Sequence, residues 1–222
     1  MSLLYQVLEP LPDASGALGR ARALLAEFGE PEDDPCPGVG PAVTAEQFRH
    51  ARRYFTLGCL TRTDGGSLRP AELGELWHVI SRTGALAAVH DYGADVELRP
   101  ELAEAWPLLE AAGLQVELRA WDTPPFPETD EHCTEAELDT VVRAAGPLEL
   151  GVYWYAAFRG LPSSKLCGVQ LCLNSRWSPS GGTVPAPGTH AVYLSIGTRN
   201  RDVADTWLKD TGLRLGPALW GW

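Results

Sequence analysis

Three aspartates stand directly after apolar runs that are typical of β-strands. They are Asp64 in RTDGG, Asp91 in VHDYG and Asp122 in AWDTPP. If the strands are parallel, their carboxyl ends meet at one edge of a sheet, where neighbouring strands lie about 4.8 Å apart. Carboxylates at that edge would suit Mg²⁺, with His90 as a base. The pattern indicates a metal-assisted hydrolase or phosphoesterase, although aspartate is equally typical of turns that end strands.

Two arginines form a candidate anion site. Arg199 and Arg201 lie in IGTRNRD, between a predicted strand and a predicted helix. Backbone amides at a helix start, together with guanidinium groups, bind phosphate or carboxylate. The alternative is a capped helix start with solvated arginines. Neither a P-loop nor a dinucleotide fingerprint occurs, and no cofactor is predicted.

The stretch TDEHCTEAELD, residues 129–139, places acids, a histidine and a cysteine side by side. None of the five histidines is spaced from another, or from a cysteine, as zinc ligands are. Thr134 and Glu137 instead have the spacing of a capping box before an apolar helical pattern, which consists of Leu138, Val141, Val142 and Ala145. The stretch therefore predicts a helix start, and it is not predicted to bind a metal.

Cysteine usage and hydropathy indicate a cytoplasmic protein. The five cysteines are scattered, odd in number and without a C-x-x-C pair, which favours reduced thiols. The first residues lack the basic region of a signal peptide, and the longest apolar run is about half of what a spanning helix needs. Only two of the eighteen basic residues are lysines, which is typical of a GC-rich bacterial genome.

Charge and aromatic content favour a protein partner. The formal net charge of −11 argues against nucleic acid and anionic membranes and favours a basic partner. The chain has eight tryptophans, and tyrosine and tryptophan are enriched at binding hot spots. The alternative for the late tryptophans is that they close the core. The candidate partner-binding residues are Tyr153, Tyr155, Trp177, Trp220 and Trp222.

Apolar periodicity predicts alternating helices and strands. LRPAELGELWHVISRTG (68–84) and LRPELAEAWPLLEAAG (98–113) repeat one amphipathic helical pattern, and strand-like runs separate them. This predicts an α/β (or α+β) fold, with amphipathic helices on a mixed β-sheet built partly from repeated β-α units. Residues 87–100 could instead form a hairpin, and 148–158 could pair antiparallel with the alternating run at 166–174.

The chain is predicted to form a single domain over residues 1–222. Proline, glycine and acids concentrate in residues 29–43, which predicts a surface loop or linker. Residues 174–189 predict a second long loop. Oligomeric state has no sequence signature here.

Two functional hypotheses follow from these patterns. The favoured one is a non-enzymatic bacterial binding protein that engages a basic protein, as an immunity or antitoxin-type inhibitor does. The alternative is the metal-assisted hydrolase built on the three strand-end aspartates. No catalytic residue is predicted under the first hypothesis.

Overall fold

The computed structural model describes most of the chain. The described residues are 2–39, 44–51, 57–62, 86–90, 95–98, 102–117, 133–161, 167–175, 189–197 and 201–221. The chain divides into two compact units, and the second interrupts the sequence of the first. The first comprises Met1–Val39, Thr129–Ala145 and Glu149–Trp222, and the second comprises Gly40–Glu128 and Gly146–Leu148. Because two packing units need not be two domains, the prediction of one domain over 1–222 stays a prediction.

The described elements are eleven strands and five helices. The strands are β1 (Ser2–Gln6), β2 (Gly29–Pro31), β3 (Cys36–Val39), β4 (Leu57–Arg62), β5 (Leu86–His90), β6 (Asp95–Leu98), β7 (Leu114–Glu117), β8 (Leu150–Phe158), β9 (Gly168–Leu173), β10 (Ala191–Ile196) and β11 (Leu219–Gly221). The helices are α1 (Ala14–Phe28), α2 (Ala45–Ala51), α3 (Leu102–Ala111), α4 (Glu135–Ala145) and α5 (Arg201–Thr211). None of these helices is long and apolar enough to cross a membrane.

The first unit is built on an antiparallel sheet in the order β11-β1-β10-β9-β8. Both β2 and β3 pair with the far side of β8. Alternate residues of β8 to β10 point to one buried face, because the cross-strand register aligns their apolar positions. The side chains on that face are at most 1% exposed, and they are Leu150, Val152, Trp154, Val169, Leu171, Val192 and Leu194.

Helices of the first unit cover this buried face. The Trp154 indole donates to Glu135 at the start of α4, and the Tyr5 hydroxyl donates to Asp205 in α5. Five residues of α1 are buried, and its last residue, Phe28, contacts Trp207 of α5 edge to face. The apolar stripes of the helices therefore meet the alternating apolar positions of the strands.

The second unit has a four-stranded antiparallel sheet in the order β5-β6-β4-β7. Helices α2 and α3 meet through Phe48 and Trp106, whose ring centroids are 5.8 Å apart. Both side chains are buried. The Gln47 side chain also donates to the Pro147 carbonyl, which attaches the short return segment of this unit to α2.

Several sequence predictions are confirmed. The sequence predicts a helix from about Ser15 to Phe28 that Gly29 stops, and α1 ends at Phe28 with Gly29 as its C-cap. It also predicts a capping-box spacing at Thr44 and Gln47, and Thr44 accepts the Gln47 N–H at the start of α2. The alternative hairpin is present, because β5 and β6 pair antiparallel. The pairing of β8 with β9 is also antiparallel.

Other fold predictions need correction. The described strands pair antiparallel throughout, so these residues give no support to a mixed sheet, and the repeated β-α units are not confirmed. The fold class is α+β. Alternation of helix and strand in the sequence does not encode strand direction, which the connections decide. The predicted helix at 68–84 and most of the predicted loop at 174–189 lie outside the described residues.

The predicted loop at 29–43 contains two strands. β2 pairs with residues 156–158 and β3 with residues 150–153. Both lie at an edge of the described sheet, where one side of the backbone needs no partner, so Pro31 and Pro37 are tolerated. Composition alone therefore gave the wrong prediction for this part of the segment.

Candidate functional site

Three exposed acids lie where the chain passes from β2 to β3 along the edge of β8. They are Glu32, Asp33 and Asp34. The Glu32 N–H donates to the Tyr155 carbonyl at 2.9 Å, in the gap between the two strand pairings. This bond holds the start of the acidic segment against the sheet edge.

The start of α4 lies against the same segment. The Cys133 N–H donates to the Pro35 carbonyl at 2.9 Å, which joins two parts of the chain that are far apart in the sequence. Glu137 then forms its half of a capping box, because its carboxylate accepts the Thr134 N–H at 2.9 Å and the Thr134 hydroxyl at 2.7 Å. The predicted helix start at residues 133 and 134 is confirmed.

A hydrogen-bond network fixes the first turns of α4. One Glu135 oxygen accepts from the Trp154 indole at 2.7 Å, and the other accepts from the Arg22 guanidinium at 2.9 Å. Arg22 also donates to the Glu135 carbonyl and to the Asp139 carboxylate, at 3.0 and 3.1 Å. The bond from Arg22 lowers the pKa of Asp139. One cation therefore holds two exposed carboxylates in place.

A shallow groove of about 380 Å³ opens beside this network. Its lining is mostly apolar and includes Leu25, Ala26 and Pro31. The groove is also lined by Arg159, which donates to the Ala26 and Glu27 carbonyls near the end of α1 and to the Gly29 carbonyl just after it. The Arg159 guanidinium thus provides hydrogen bonds to carbonyls at the end of α1, where the helix itself has no donors for them.

The pKa of the Cys133 thiol is affected by the carboxylates around the start of α4. Burial, followed by the nearby carboxylates of Glu137, Glu135 and Asp34, raises the pKa of its thiol to about 11. The thiol is therefore mostly neutral at pH 7, so Cys133 reacts slowly as a nucleophile at that pH. It also shows that acids from both segments act on one point.

The predicted partner-binding tyrosines lie together. The ring centroids of Tyr153 and Tyr155 are 4.6 Å apart in an edge-to-face contact, and both side chains are half-buried. Tyr153 reaches across the sheet to bond Ser195. Trp220 lies in β11, and Trp177 and Trp222 lie outside the described residues. Partner binding by these residues stays a prediction.

The aspartates of the alternative hypothesis, Asp64, Asp91 and Asp122, lie outside the described residues. The strands before them are described, and β4 pairs antiparallel with β7, the strand before Asp122. The carboxyl ends of these two strands therefore lie at opposite ends of the sheet, so Asp122 does not follow a strand parallel to β4. His90 ends β5 opposite Asp95. Across the described ranges, no three histidine, cysteine or acidic residues are grouped as metal ligands.

The predicted anion site is only partly described. Arg201 begins α5 and is exposed, and its guanidinium lies 3.4 Å from the Asp205 carboxylate. Asp205 in turn accepts the Tyr5 hydroxyl. Arg199 lies outside the described residues. Anion binding by these two arginines stays a prediction, and Arg201 has a structural ion pair.

Replacing Thr134 by valine is expected to destabilise α4 in a pH-dependent way. Hydrogen bonds from the Thr134 hydroxyl and N–H lower the pKa of Glu137 below its ordinary value of 4.5. A carboxyl group with a lowered folded pKa stabilises the fold above its unfolded pKa, and that contribution disappears as pH falls through the folded pKa. Thermal melts of wild type and variant should therefore differ most at neutral pH and converge in acid.

Thr140→Val is the matched control, because Thr140 is exposed on the same helix and accepts from Arg143 instead of bonding to a carboxylate. Its effect on the melting temperature should not follow the titration of Glu137. A Thr134→Val difference that stays constant from neutral to strongly acidic pH would contradict the assignment of the capping bond.

The acids of the two segments form one surface, which we call the acidic edge. It consists of Glu32, Asp33, Asp34, Glu135, Glu137 and Asp139, all of them exposed. The bond between Cys133 and Pro35 joins its two halves. No protein-family model matches the chain, and comparisons with curated proteins and with solved structures find no significant match.

Proposed function

We propose that this is a binding protein whose acidic edge engages a basic protein partner. The bond between the Cys133 N–H and the Pro35 carbonyl is the observation that carries the proposal, since it brings two acidic segments into one surface. Arg22 is bonded to Glu135 and Asp139 and offsets part of their charge. The net charge of the chain is −11, the same sign as that of the acidic edge. The rest of the chain therefore adds to the electrostatic attraction of a cationic partner.

An aromatic residue is bonded through its backbone to the acidic edge. The Glu32 N–H bonds to the carbonyl of Tyr155, whose half-buried ring packs against Tyr153. Acidic residues speed encounter and select the partner, whereas a partly exposed tyrosine provides contact area and a hydroxyl. The combination suits an interface that is charged at its rim and aromatic near its centre.

The finer proposal is an inhibitor of the immunity or antitoxin type. Proteins that act on nucleic acids carry clustered lysine and arginine to contact phosphates. An acidic edge of fixed geometry would cover such a basic surface and exclude the nucleic acid. The acidic edge is held in place by hydrogen bonds, which reduces the ordering cost of binding.

The test compares two doubly substituted proteins of equal net charge. Glu32→Gln/Asp33→Asn removes two charges from the acidic edge, and Asp202→Asn/Asp210→Asn removes two from exposed positions of α5. Each protein, immobilised through a tag, is used to capture partners from the lysate of its source cell. Wild type and the α5 variant should retain a stoichiometric basic protein, and the edge variant should bind it with an association rate about tenfold lower at low salt.

The binding rates are then measured with the purified partner at increasing salt concentration. The advantage of wild type over the edge variant should shrink as salt screens the charges. Loss of binding in both variants alike would show that only net charge matters. An acidic partner, or no stoichiometric partner, would contradict the proposal.

A further inference from the structure

Two cysteines lie on either side of the bond that joins the acidic edge. Cys36 begins β3, and Cys133 directly precedes the cap of α4. The Cys133 N–H donates at 2.9 Å to the Pro35 carbonyl, which belongs to the peptide group joined to Cys36. Standard backbone dimensions then hold the two Cα atoms within about 7 Å of each other. Disulfide-bonded cysteines have Cα atoms about 4.4 to 6.8 Å apart.

The surroundings of the two thiols differ. Cys36 is half-buried, and Cys133 is buried. Cys36 is among the groups that raise the pKa of Cys133, so the two thiols are close enough to act on each other electrostatically. Cys172, in contrast, is buried in a cluster with Leu4 and Tyr193 on β1 and β10.

We propose that Cys36 and Cys133 form a dithiol site that small-molecule disulfides oxidise to an intramolecular disulfide. The Cys36 thiolate attacks one sulfur of the donor disulfide, whose S–S bond breaks and releases one thiolate, which takes up a proton. The Cys133 thiolate then attacks the Cys36 sulfur of this mixed disulfide, and the second donor thiol leaves. Two protein thiols are oxidised, and one donor disulfide is reduced to two thiols.

The second step limits the rate. Cys133 is mostly protonated at neutral pH, because burial and the carboxylates around it raise its pKa to about 11. At pH values below about 11, each unit by which pH is raised increases the thiolate fraction of Cys133 about tenfold. The rate of ring closure should rise in the same proportion. Acids of the acidic edge thus slow the oxidation of the thiol that they surround.

Oxidation would join the two halves of the acidic edge covalently. The hydrogen bond between the Cys133 N–H and the Pro35 carbonyl now joins the two halves, and a disulfide would keep them joined even when this hydrogen bond opens. The dithiol site depends only on the geometry around the two cysteines and not on the proposed partner. If the partner experiment failed, the dithiol proposal would still hold. If the disulfide did not form, the partner proposal would still hold.

Peptide mapping tests the proposal directly. Trypsin places Cys36 in residues 23–49 and Cys133 in residues 120–143, and neither peptide contains another cysteine. The native full-length protein is treated with glutathione disulfide, quenched with an alkylating agent and digested. Mass spectrometry should show the two peptides joined, with the loss of two hydrogens relative to their sum. The joined peptide should form faster as pH is raised from neutral to mildly alkaline.

The same reaction in concentrated guanidinium chloride is the decisive control. When each rate is divided by the thiolate fraction of Cys133 read from its own pH profile, native geometry should accelerate ring closure at least about tenfold over the denatured chain, because it fixes the distance between the thiols. Cys36→Ser should abolish the joined peptide, and Cys59→Ser, in β4 of the second unit, should leave it unchanged. Equal or faster closure per thiolate in denaturant, or separate glutathione adducts on both cysteines of the native protein, would overturn the proposal.

Discussion

Replacing Trp154 by alanine is expected to lower the free energy of unfolding by about 3 to 5 kcal/mol, the usual cost of truncating a buried tryptophan. Trp154 is 1% exposed at the centre of β8, in register with Val169. Its indole also donates to Glu135 at 2.7 Å, so truncation leaves both a cavity and a carboxylate without its donor. Domains are stable by about 5 to 15 kcal/mol, so the loss is a large fraction of the total stability.

Urea titrations followed by circular dichroism measure this loss. Trp154→Phe is the informative companion, because it keeps most of the ring and removes the donor. Glu135 is partly exposed and can turn to water, so the phenylalanine variant should lose clearly less than the alanine variant. Equal losses would show that the hydrogen bond, and not the packing of the ring, dominates the effect of Trp154.

Replacing Gly168 by alanine is expected to cost about 3 kcal/mol, the upper end of the range for overpacking a well-filled core. A Cβ at this position would clash with the backbone carbonyl of Trp154 and lie 2.8 Å from the Tyr153 ring and hydroxyl. Backbone cannot yield as the end of a flexible side chain does, so β8 and β9 must separate locally. Gly168 is not among the described glycines with positive φ, so the cost is steric.

Gly19→Ala is the matched control for this substitution. Gly19 is exposed within α1, and a Cβ there meets nothing within 4 Å. Alanine in a helix is favoured over glycine by about 0.5 to 1 kcal/mol, so this variant should be more stable than wild type. Urea titrations that rank the two variants in the opposite order would contradict the packing of Tyr153 over Gly168.

Elements with a local signal were predicted well. The helical spacing of Leu138, Val141, Val142 and Ala145 is confirmed, since all four side chains are buried in α4. The pairing of Thr134 with Glu137 needed no knowledge of the rest of the chain, because both partners lie within one turn. Such features follow from periodicity and capping, which are properties of a short window.

Features that depend on distant residues were not predicted. Arg22 stands on the outer side of α1, and nothing near it in the sequence indicates its bonds to Glu135 and Asp139. The acids at 32–34 were noted only as part of a loop, because the carbonyl that holds Glu32 belongs to Tyr155. Strand direction was missed for the same reason, since a helical or strand period contains no information about which strands pair.

The bond between Cys133 and Pro35 also has a consequence for the length of the chain between them. In polymer terms it closes a long loop, which contains nearly all of the second unit. The entropy of closing a loop grows only logarithmically, by about 0.6 kcal/mol for each doubling of its length. Insertions or deletions in the intervening chain therefore change the closure free energy little, and the acidic edge keeps its two halves together whatever the length between them.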